Sequence, residues 1–181
     1  IFSLPDFNDF DGAILLTNTV GYQSVVTDIL NRIKEAGIPA VSIDNDIPYL
    51  YYIGIDNKHA MRCITEHLIE RHGFSRFAYI SGPDDNPESS ARLSGFLEVL
   101  REHNITISDD YIYHGAFRAP SGRAAAESFL ANPNGLPQAV ICANDVMAAA
   151  VINRFGDEGL SVPDDIAVTG FDNTYSNHNY Q

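Results

Sequence analysis

The 181-residue sequence has few basic side chains and no long apolar run. Lys and Arg number 11 against 24 Asp and Glu, so the formal net charge is −13. A surface this acidic repels phosphate groups, and we therefore expect no direct contact with nucleic acid or with an anionic membrane. No apolar stretch approaches the roughly 20 residues that a membrane-spanning helix needs. The sequence thus excludes a transmembrane segment within this chain.

Cysteine is also scarce, since Cys63 and Cys142 are the only two. Both lie in apolar, periodic stretches, which predicts two buried free thiols. A single pair lacks the spacing of a zinc or redox motif and fits a reducing compartment. A basic segment followed by an apolar one, the mark of a secretory signal, is absent. We therefore expect a cytoplasmic location.

Apolar runs and helical patterns alternate along a chain whose 45% hydrophobic content can fill a core. Strand–helix alternation predicts an α/β fold with parallel sheets, covered by helices through right-handed crossovers. A soft boundary lies near residues 71–74, where a predicted helix ends and a new run of strand–helix units begins. The predicted strands cover residues 12–16, 38–43, 76–81, 111–114, 138–143 and 166–170. The predicted helices cover residues 25–37, 57–71, 88–103, 121–131 and 145–158.

Polar and aromatic residues follow nearly every predicted strand. In parallel sheets, ligands bind beyond the carboxyl ends of the strands. Carboxylates and amides can hydrogen-bond hydroxyl groups in pairs, and aromatic rings can pack on the apolar face of a sugar. These segments are Thr17-Asn18, Asp44-Asn45, Gly82-Pro-Asp84, Gly115-Ala-Phe117, Asn144-Asp145 and Phe171-Asp-Asn173.

Catalytic and metal-binding motifs are lacking. The sequence contains no nucleophile elbow, zinc-protease motif or phosphate-binding Walker loop. The sequence has neighbouring carboxylates such as Asp84-Asp85 and Asp164-Asp165. Adjacent side chains on a strand point to opposite faces, and adjacent carboxylates in a loop are usually solvated or capping, so neither arrangement forms a catalytic pair. The segment Asp6–Gly12 lacks the ligand register of a calcium loop. We therefore expect no catalysis, no metal ion and no cofactor.

An ordered set of motifs, at characteristic spacing from about Asp11 to Asn173, resembles the LacI/GalR family of regulators and the related periplasmic sugar-binding proteins. The pairing of Val162-Pro-Asp-Asp165 with Gly170-Phe-Asp-Asn173 is its most specific part. The other pieces are Gly54-Ile-Asp-Asn57, His67-Leu-Ile-Glu-Arg71, Ile80-Ser-Gly82, Arg92-Leu-Ser-Gly-Phe96, Pro137-Gln-Ala-Val140 and Ala143-Asn-Asp-Val-Met-Ala148.

The resemblance implies two Rossmann-like lobes with parallel sheets, the type I periplasmic binding protein-like fold, in a partial chain. Residues 1–72 would be the remainder of the N-terminal lobe and 73–181 most of the C-terminal lobe, with the DNA-binding head absent. It also implies a small polar effector, such as a sugar, held between the lobes. Regulators of this kind act as homodimers, and operator DNA would be bound only through a domain outside this chain.

Residue by residue, the resemblance assigns Arg92 and Asp172 to the effector site, one as a planar donor and the other as an acceptor. Asn144 either contacts the effector or caps a helix, and in the second case its role passes to Asp145. Phe117 either packs on the ligand ring or belongs to the core. Further ligand-binding candidates, from the first lobe, are Thr17, Asn18, Asp56 and Asn57.

Two departures leave the output domain open. The family's Arg-Gly-His helix ending reads Arg71-His72-Gly73 here, and Ala60 replaces a common glycine. These features resemble a subgroup in which the sensor is joined to an AraC-like DNA-binding domain or a diguanylate cyclase. A periplasmic sugar-binding protein of a transporter is a further alternative with the same fold.

Overall fold

The computed structural model describes residues 4–16 and 23–174. The chain divides into two compact units, Ile1–Asp56 and Asn57–Gln181, and each is considered by itself. Both are α/β units with wholly parallel pairing between their strands. The expected α/β fold class is therefore confirmed, and strands and helices alternate except where the strand Tyr51–Ile53 follows the strand Ala40–Ile43 directly.

Among its described residues, the first unit contains a three-stranded sheet in the order β1-β2-β3, one α-helix and the short 3-10 helix Phe7–Asp9. The strands are β1 (Ala13–Leu15), β2 (Ala40–Ile43) and β3 (Tyr51–Ile53), and α1 (Gln23–Ala36) lies between β1 and β2. Buried Leu15 and Ala40 from the sheet pack with Ile33 of α1. The helix ends before Gly37, whose φ of 67° is the left-handed conformation that glycine adopts without penalty.

The second unit contains a four-stranded sheet in the order β5-β4-β6-β7. Its central strands, β4 and β6, are buried along their whole length, as their continuous apolar sequences predict. The strands are β4 (Phe77–Ser81), β5 (Ile112–His114), β6 (Ala139–Cys142) and β7 (Ala167–Thr169). The helices are α2 (Asn57–His72), α3 (Pro87–Glu102), α4 (Ala119–Leu130) and α5 (Asp145–Asp157).

The division between the units differs from the expected boundary near residue 72. Helix α2 belongs to the second unit because it packs along α3. Met61 of α2 is fully buried in the same core as Phe96 of α3, and Lys58 forms a 2.7 Å ion pair with Glu98. The apolar face of α2 is satisfied by a helix that comes later in the chain, a relationship that local periodicity does not reveal.

The prediction of two buried thiols is correct for Cys142 and wrong for Cys63. Cys142 lies at the end of β6 and is buried, whereas Cys63 is exposed on α2. On that helix Met61 and Thr65 are buried. Cys63 is two residues from each of them, about 200° around a helix, so it points to the opposite face.

In the described part of the chain, no helix combines the length and the apolar character needed to cross a membrane.

Candidate functional site

The loops that follow the strands of the second unit share one edge of its sheet, because all four strands run parallel. This is the edge at which parallel sheets bind ligands. Phe117 follows β5, Asn144 follows β6 and Asp172 follows β7, while Arg92 comes from α3, the helix after β4. The structure connects these four predicted residues, together with Asn57, through direct contacts.

Arg92 is the centre of this cluster and is only 4% exposed. Its Nε donates to Oδ1 of Asn57 at 2.7 Å, and one terminal nitrogen donates to the carbonyl of Ala143 at 2.6 Å. The other terminal nitrogen lies 3.3 Å from Glu88 and 3.4 Å from Asp172. The guanidinium therefore ties α3 to the start of α2 and to the loops after β6 and β7.

Two aromatic rings lie close to the Arg92 guanidinium. Its central carbon lies 3.8 Å from the centroid of Phe171 and 5.9 Å from that of Phe117. A cation over an aromatic face is attracted by the ring quadrupole, more strongly when both groups are shielded from water. The aromatic residues thus stabilise a buried positive charge at the edge of the sheet.

Asp172 is the predicted acceptor, and its side chain is 34% exposed. Partial burial raises the pKa of this carboxyl above its ordinary value, opposed by nearby Arg92 and reinforced by Asp145. Its φ of 92° is a left-handed conformation that non-glycine residues seldom adopt. Such strained backbone positions are concentrated at functional sites. The result is a carboxylate held against a buried cation and still open to solvent.

Asn144 caps α5, one of the two roles that the sequence left open. Its Oδ1 accepts from the backbone N–H of Met147 at 3.0 Å, and its Nδ2 donates to the carbonyl of Phe117 at 3.1 Å. Both amide atoms therefore have protein partners, and the residue is 7% exposed. In this arrangement Asn144 fixes the start of α5 and the loop after β5.

The ring of Phe117 lies directly on Gly82. A Cβ atom at residue 82 would overlap three atoms of that ring, so the aromatic side chain occupies the space that glycine leaves empty. Phe117 is half-buried against the core and has a left-handed φ of 58°. It thus serves the core on one side while its carbonyl is held by Asn144.

Asp145 fixes the loop after β7. Its Oδ2 accepts from the backbone N–H of Thr174 at 2.7 Å, and its own N–H donates to the carbonyl of Phe171 at 2.9 Å. Gly170 passes so close that a Cβ there would overlap Oδ1 of Asp145. These contacts place Phe171 and Asp172 where they meet Arg92.

The remaining predicted residues are the first-lobe candidates, and Asn57 among them belongs to the cluster through its bond with Arg92. Asp56 is exposed and is the last residue of the first unit, whereas Asn57 begins the second unit rather than belonging to the first. The assignment of Asn57 to the first lobe was wrong because α2 packs with α3. Thr17 and Asn18 lie outside the described residues.

Sequence reasoning missed several members of the cluster. Glu88 stands one helical turn before Arg92, so the i,i+4 spacing was an available signal for their ion pair. Phe171 lies within the motif already recognised around Asp172. At the same edge, Nδ1 of His114 lies 2.7 Å from Asp84 in an exposed pair that no local pattern indicated.

A groove of about 530 Å³ in the first unit is lined by apolar residues of α1 and by Tyr49 and Tyr51. None of the predicted site residues that the structure describes contributes to it. Among residues 4–16 and 23–174, no group of three or more His, Cys, Asp or Glu side chains is placed to hold a metal ion. The cluster around Arg92 offers an acceptor in Asp172 and aromatic rings in Phe117 and Phe171.

Comparison with known proteins shows the family to which the fold belongs. A family model described as a periplasmic binding protein-like domain matches residues 65–180. The chain is 34% identical over 165 residues to the probable HTH-type transcriptional repressor ExuR of Bacillus subtilis (strain 168) and covers 90% of its own length and 48% of that protein. The chain thus spans about half the length of this curated relative.

Solved structures of transcriptional regulators have a similar fold. A regulatory protein of the LacI family from Chloroflexus aggregans superposes with a TM-score of 0.78 at 27% identity, covering 91% of this chain and 58% of that one. A complex of the transcriptional regulator CelR with cellobiose has a TM-score of 0.72 at 30% identity, covering 90% and 49%. The resemblance to LacI/GalR-type regulators seen in the sequence is confirmed.

Proposed function

Because this chain belongs to the periplasmic binding protein-like domain family, we propose that it is the effector-sensing part of a LacI-type transcriptional regulator. Its ligand is a small, polar, uncharged molecule such as a sugar, which it binds without chemical change. The observation that carries this proposal is the partly exposed Asp172 carboxylate held against Arg92 and Phe171. The residues of the proposed site all belong to the second unit.

The groups at this edge suit a hydroxylated ring. An ionised carboxylate such as Asp172 accepts hydrogen bonds from two hydroxyl groups. Phe117 lies beside the same guanidinium and can offer a ring face to the apolar side of a sugar. The CelR complex, whose bound molecule is cellobiose, supports a sugar as the ligand class.

The local charge favours a neutral ligand over an anion. Arg92 is the cation of the cluster, and protein acceptors already engage its Nε and both terminal nitrogens. The nearby groups are negatively charged. Glu88 and Asp172 contact Arg92, and Asp145 lies close enough to Asp172 to affect its pKa. A phosphate or carboxylate ligand would meet these negative charges and would have to displace one of them from Arg92. A neutral polyol avoids both penalties.

Relatives favour the regulator over the alternatives. ExuR, CelR and the Chloroflexus protein are described as transcriptional regulators or regulatory proteins. We propose that this chain likewise forms homodimers and reaches operator DNA through a separate DNA-binding domain, since its own charge of −13 opposes contact with phosphate. Ligand binding would shift the population of two conformations and so change operator affinity.

A thermal-shift panel tests the ligand class. The purified chain is heated with D-glucose, D-galactose, cellobiose, D-glucuronate, glucose 6-phosphate or adenosine. We expect a neutral sugar to raise Tm, because a ligand at 100 times its Kd stabilises the folded state by about 2.7 kcal/mol. The phosphorylated sugar should leave Tm unchanged.

Two aspartate variants locate the response. Asp172→Ala should remove the sugar-induced shift, whereas Asp164→Ala, at an exposed position in the loop before β7, should keep it. A shift with glucose 6-phosphate alone, or an unaltered response in Asp172→Ala, would contradict the proposed ligand class or the proposed site.

A further inference from the structure

We infer that Asn57 is a positioning residue of the proposed ligand site, acting on Asp172 through Arg92. This inference rests on the proposed function and deepens it. It assigns to Asn57 an indirect role in place of the direct ligand contact expected from the sequence. It also connects the site to the residue at which the chain enters the second unit.

The bond between Arg92 and Asn57 fixes the orientation of the guanidinium. Nε is the guanidinium nitrogen that is bonded to the side-chain stem, and here it donates to Oδ1 of Asn57 at 2.7 Å. A planar group held at Nε and at one terminal nitrogen cannot rotate in its plane. The second terminal nitrogen is thereby directed at Asp172, 3.4 Å away. Removing Asn57 frees one of these two constraints.

Close packing of α3 on the start of α2 makes this bond possible. Gly95, one turn after Arg92, lies so near Lys58 that a Cβ there would overlap the Lys58 carbonyl oxygen. One turn further, Glu98 pairs with the Lys58 ammonium group at 2.7 Å. Three successive turns of α3 therefore contact the first two residues of α2. Backbone packing of α3 on the start of α2 thus places Asn57 beside Arg92.

The result is a continuous connection from Asn57 through Arg92 to Asp172. A ligand that donates hydrogen bonds to the Asp172 carboxylate alters the charge that the Arg92 terminal nitrogen faces. Linkage is reciprocal: if ligand binding strengthens or weakens the Arg92–Asn57 bond, the presence of that bond changes ligand affinity by the same factor. An uncharged amide oxygen suits this role because it holds Nε without competing with Asp172 for the positive charge.

The inference is tested by NMR on the whole chain, without any ligand. Wild type is compared with Asn57→Ala and with Asn57→Asp, which retains an acceptor. The control is Asn153→Ala, on an exposed position of α5. The Arg92 Nε–H signal reports the bond, and a carboxyl-carbon titration reports the pKa of Asp172. That pKa responds to the position of Arg92, whose charge lowers it against the raising effects of burial and Asp145.

We expect Asn57→Ala to lose the protected Nε–H signal and to raise the pKa of Asp172 further. Asn57→Asp and Asn153→Ala should keep the signal. An unchanged Asp172 titration in Asn57→Ala would overturn the inference, because the Asn57–Arg92 bond would then be structural only. Retention of the Nε–H signal in Asn57→Ala would overturn it as well.

Calorimetry with cellobiose separates this inference from the proposed function. Where wild type binds cellobiose, Asn57→Ala should weaken binding by about 10-fold, the scale of one lost charge-assisted hydrogen bond. An unchanged Kd overturns the positioning role. Absence of cellobiose binding by wild type counts against the proposed sugar, while the NMR titration still decides the role of Asn57.

Discussion

The guanidinium carbon of Arg92 lies 3.8 Å from the centroid of the Phe171 ring. The backbone of Phe171 is fixed in turn, since its carbonyl accepts from the N–H of Asp145 at 2.9 Å. A 4% exposed arginine is thus stacked on a ring whose position is set by the N-terminus of α5. Stacking and hydrogen bonding together keep a buried cation in one orientation.

Replacing Phe171 with leucine should destabilise the protein, because leucine keeps most of the apolar volume but offers no aromatic face. We expect Phe171→Leu to lower the free energy of unfolding by about 1–2 kcal/mol, the scale of a desolvated cation–π contact. Phe171→Tyr should be less destabilised than Phe171→Leu, since it keeps the aromatic ring. Urea denaturation measures both. Equal stability of the leucine and tyrosine variants would show that the stacking contributes nothing.

Gly82 controls where the Phe117 ring lies. Gly82→Ala would place a methyl group in the space now occupied by the ring, and a side chain can move aside more easily than backbone. We therefore expect a displaced ring with a loss of unfolding free energy of about 1 kcal/mol, the lower end for overpacking. Changed aromatic NMR shifts of Phe117, with the fold retained, would support this. An unshifted ring would contradict the contact.

Much of the fold was predictable because its signals are local. The continuous apolar sequences of β4 and β6 predict buried strands, and the glycine after α1 predicts the end of that helix. Each of these signals lies within a few residues. Strand β3 escaped detection since three exposed residues, Tyr51–Ile53, show no periodicity. The division after Asp56 escaped for a different reason, because the partner of α2 is distant in sequence.

The sequence predicted which residues belong to the site better than it predicted the contacts between them. The rule that ligands meet parallel sheets at the carboxyl ends of strands pointed to Phe117, Asn144 and Asp172. It could not show that both amide atoms of Asn144 have protein partners, or that Asn57 accepts from Arg92. Such bonds depend on how helices and loops approach in space, which one sequence does not encode locally.

Burial of Asp172 predicts an unusual pH dependence. Its folded-state pKa is raised above the ordinary value of 3.8, so folding disfavours the ionised form. This penalty is present at pH values above the folded-state pKa and disappears as the pH falls below 3.8, where the carboxyl is protonated in both states. An uncharged amide at this position would resemble the protonated acid, so Asp172→Asn should be at least as stable as wild type at pH 7.

The difference between Asp172→Asn and wild type should shrink as the pH falls toward about 3.5 in urea denaturation at stepped pH. Asp164→Asn, which replaces an aspartate at an exposed loop position, serves as the control. A variant less stable than wild type at pH 7 would mean that attraction to Arg92 outweighs burial, and the sign of the pKa shift would be reversed.

Gly95 and Gly156 both lie in helices, but we expect an alanine to lower the free energy of unfolding at the first position and not at the second. A Cβ at residue 95 would overlap the carbonyl oxygen of Lys58, and backbone on α2 cannot yield without separating the helices. Gly95→Ala should therefore lower the free energy of unfolding by about 1–3 kcal/mol, as overpacking does. At Gly156, near the end of α5, no atom lies within 4 Å of the added Cβ.

Gly156→Ala should instead be neutral or stabilising by up to about 1 kcal/mol, since alanine loses less backbone entropy than glycine in a helix. Urea denaturation of the two variants measures the difference directly. Because Gly95 also brings Arg92 within reach of Asn57, Gly95→Ala should weaken the Arg92 Nε–H signal while Gly156→Ala leaves it unchanged. If both alanine variants matched wild type in stability and in that signal, the close approach of α3 to α2 would be refuted, and with it the packing that holds Asn57 against Arg92.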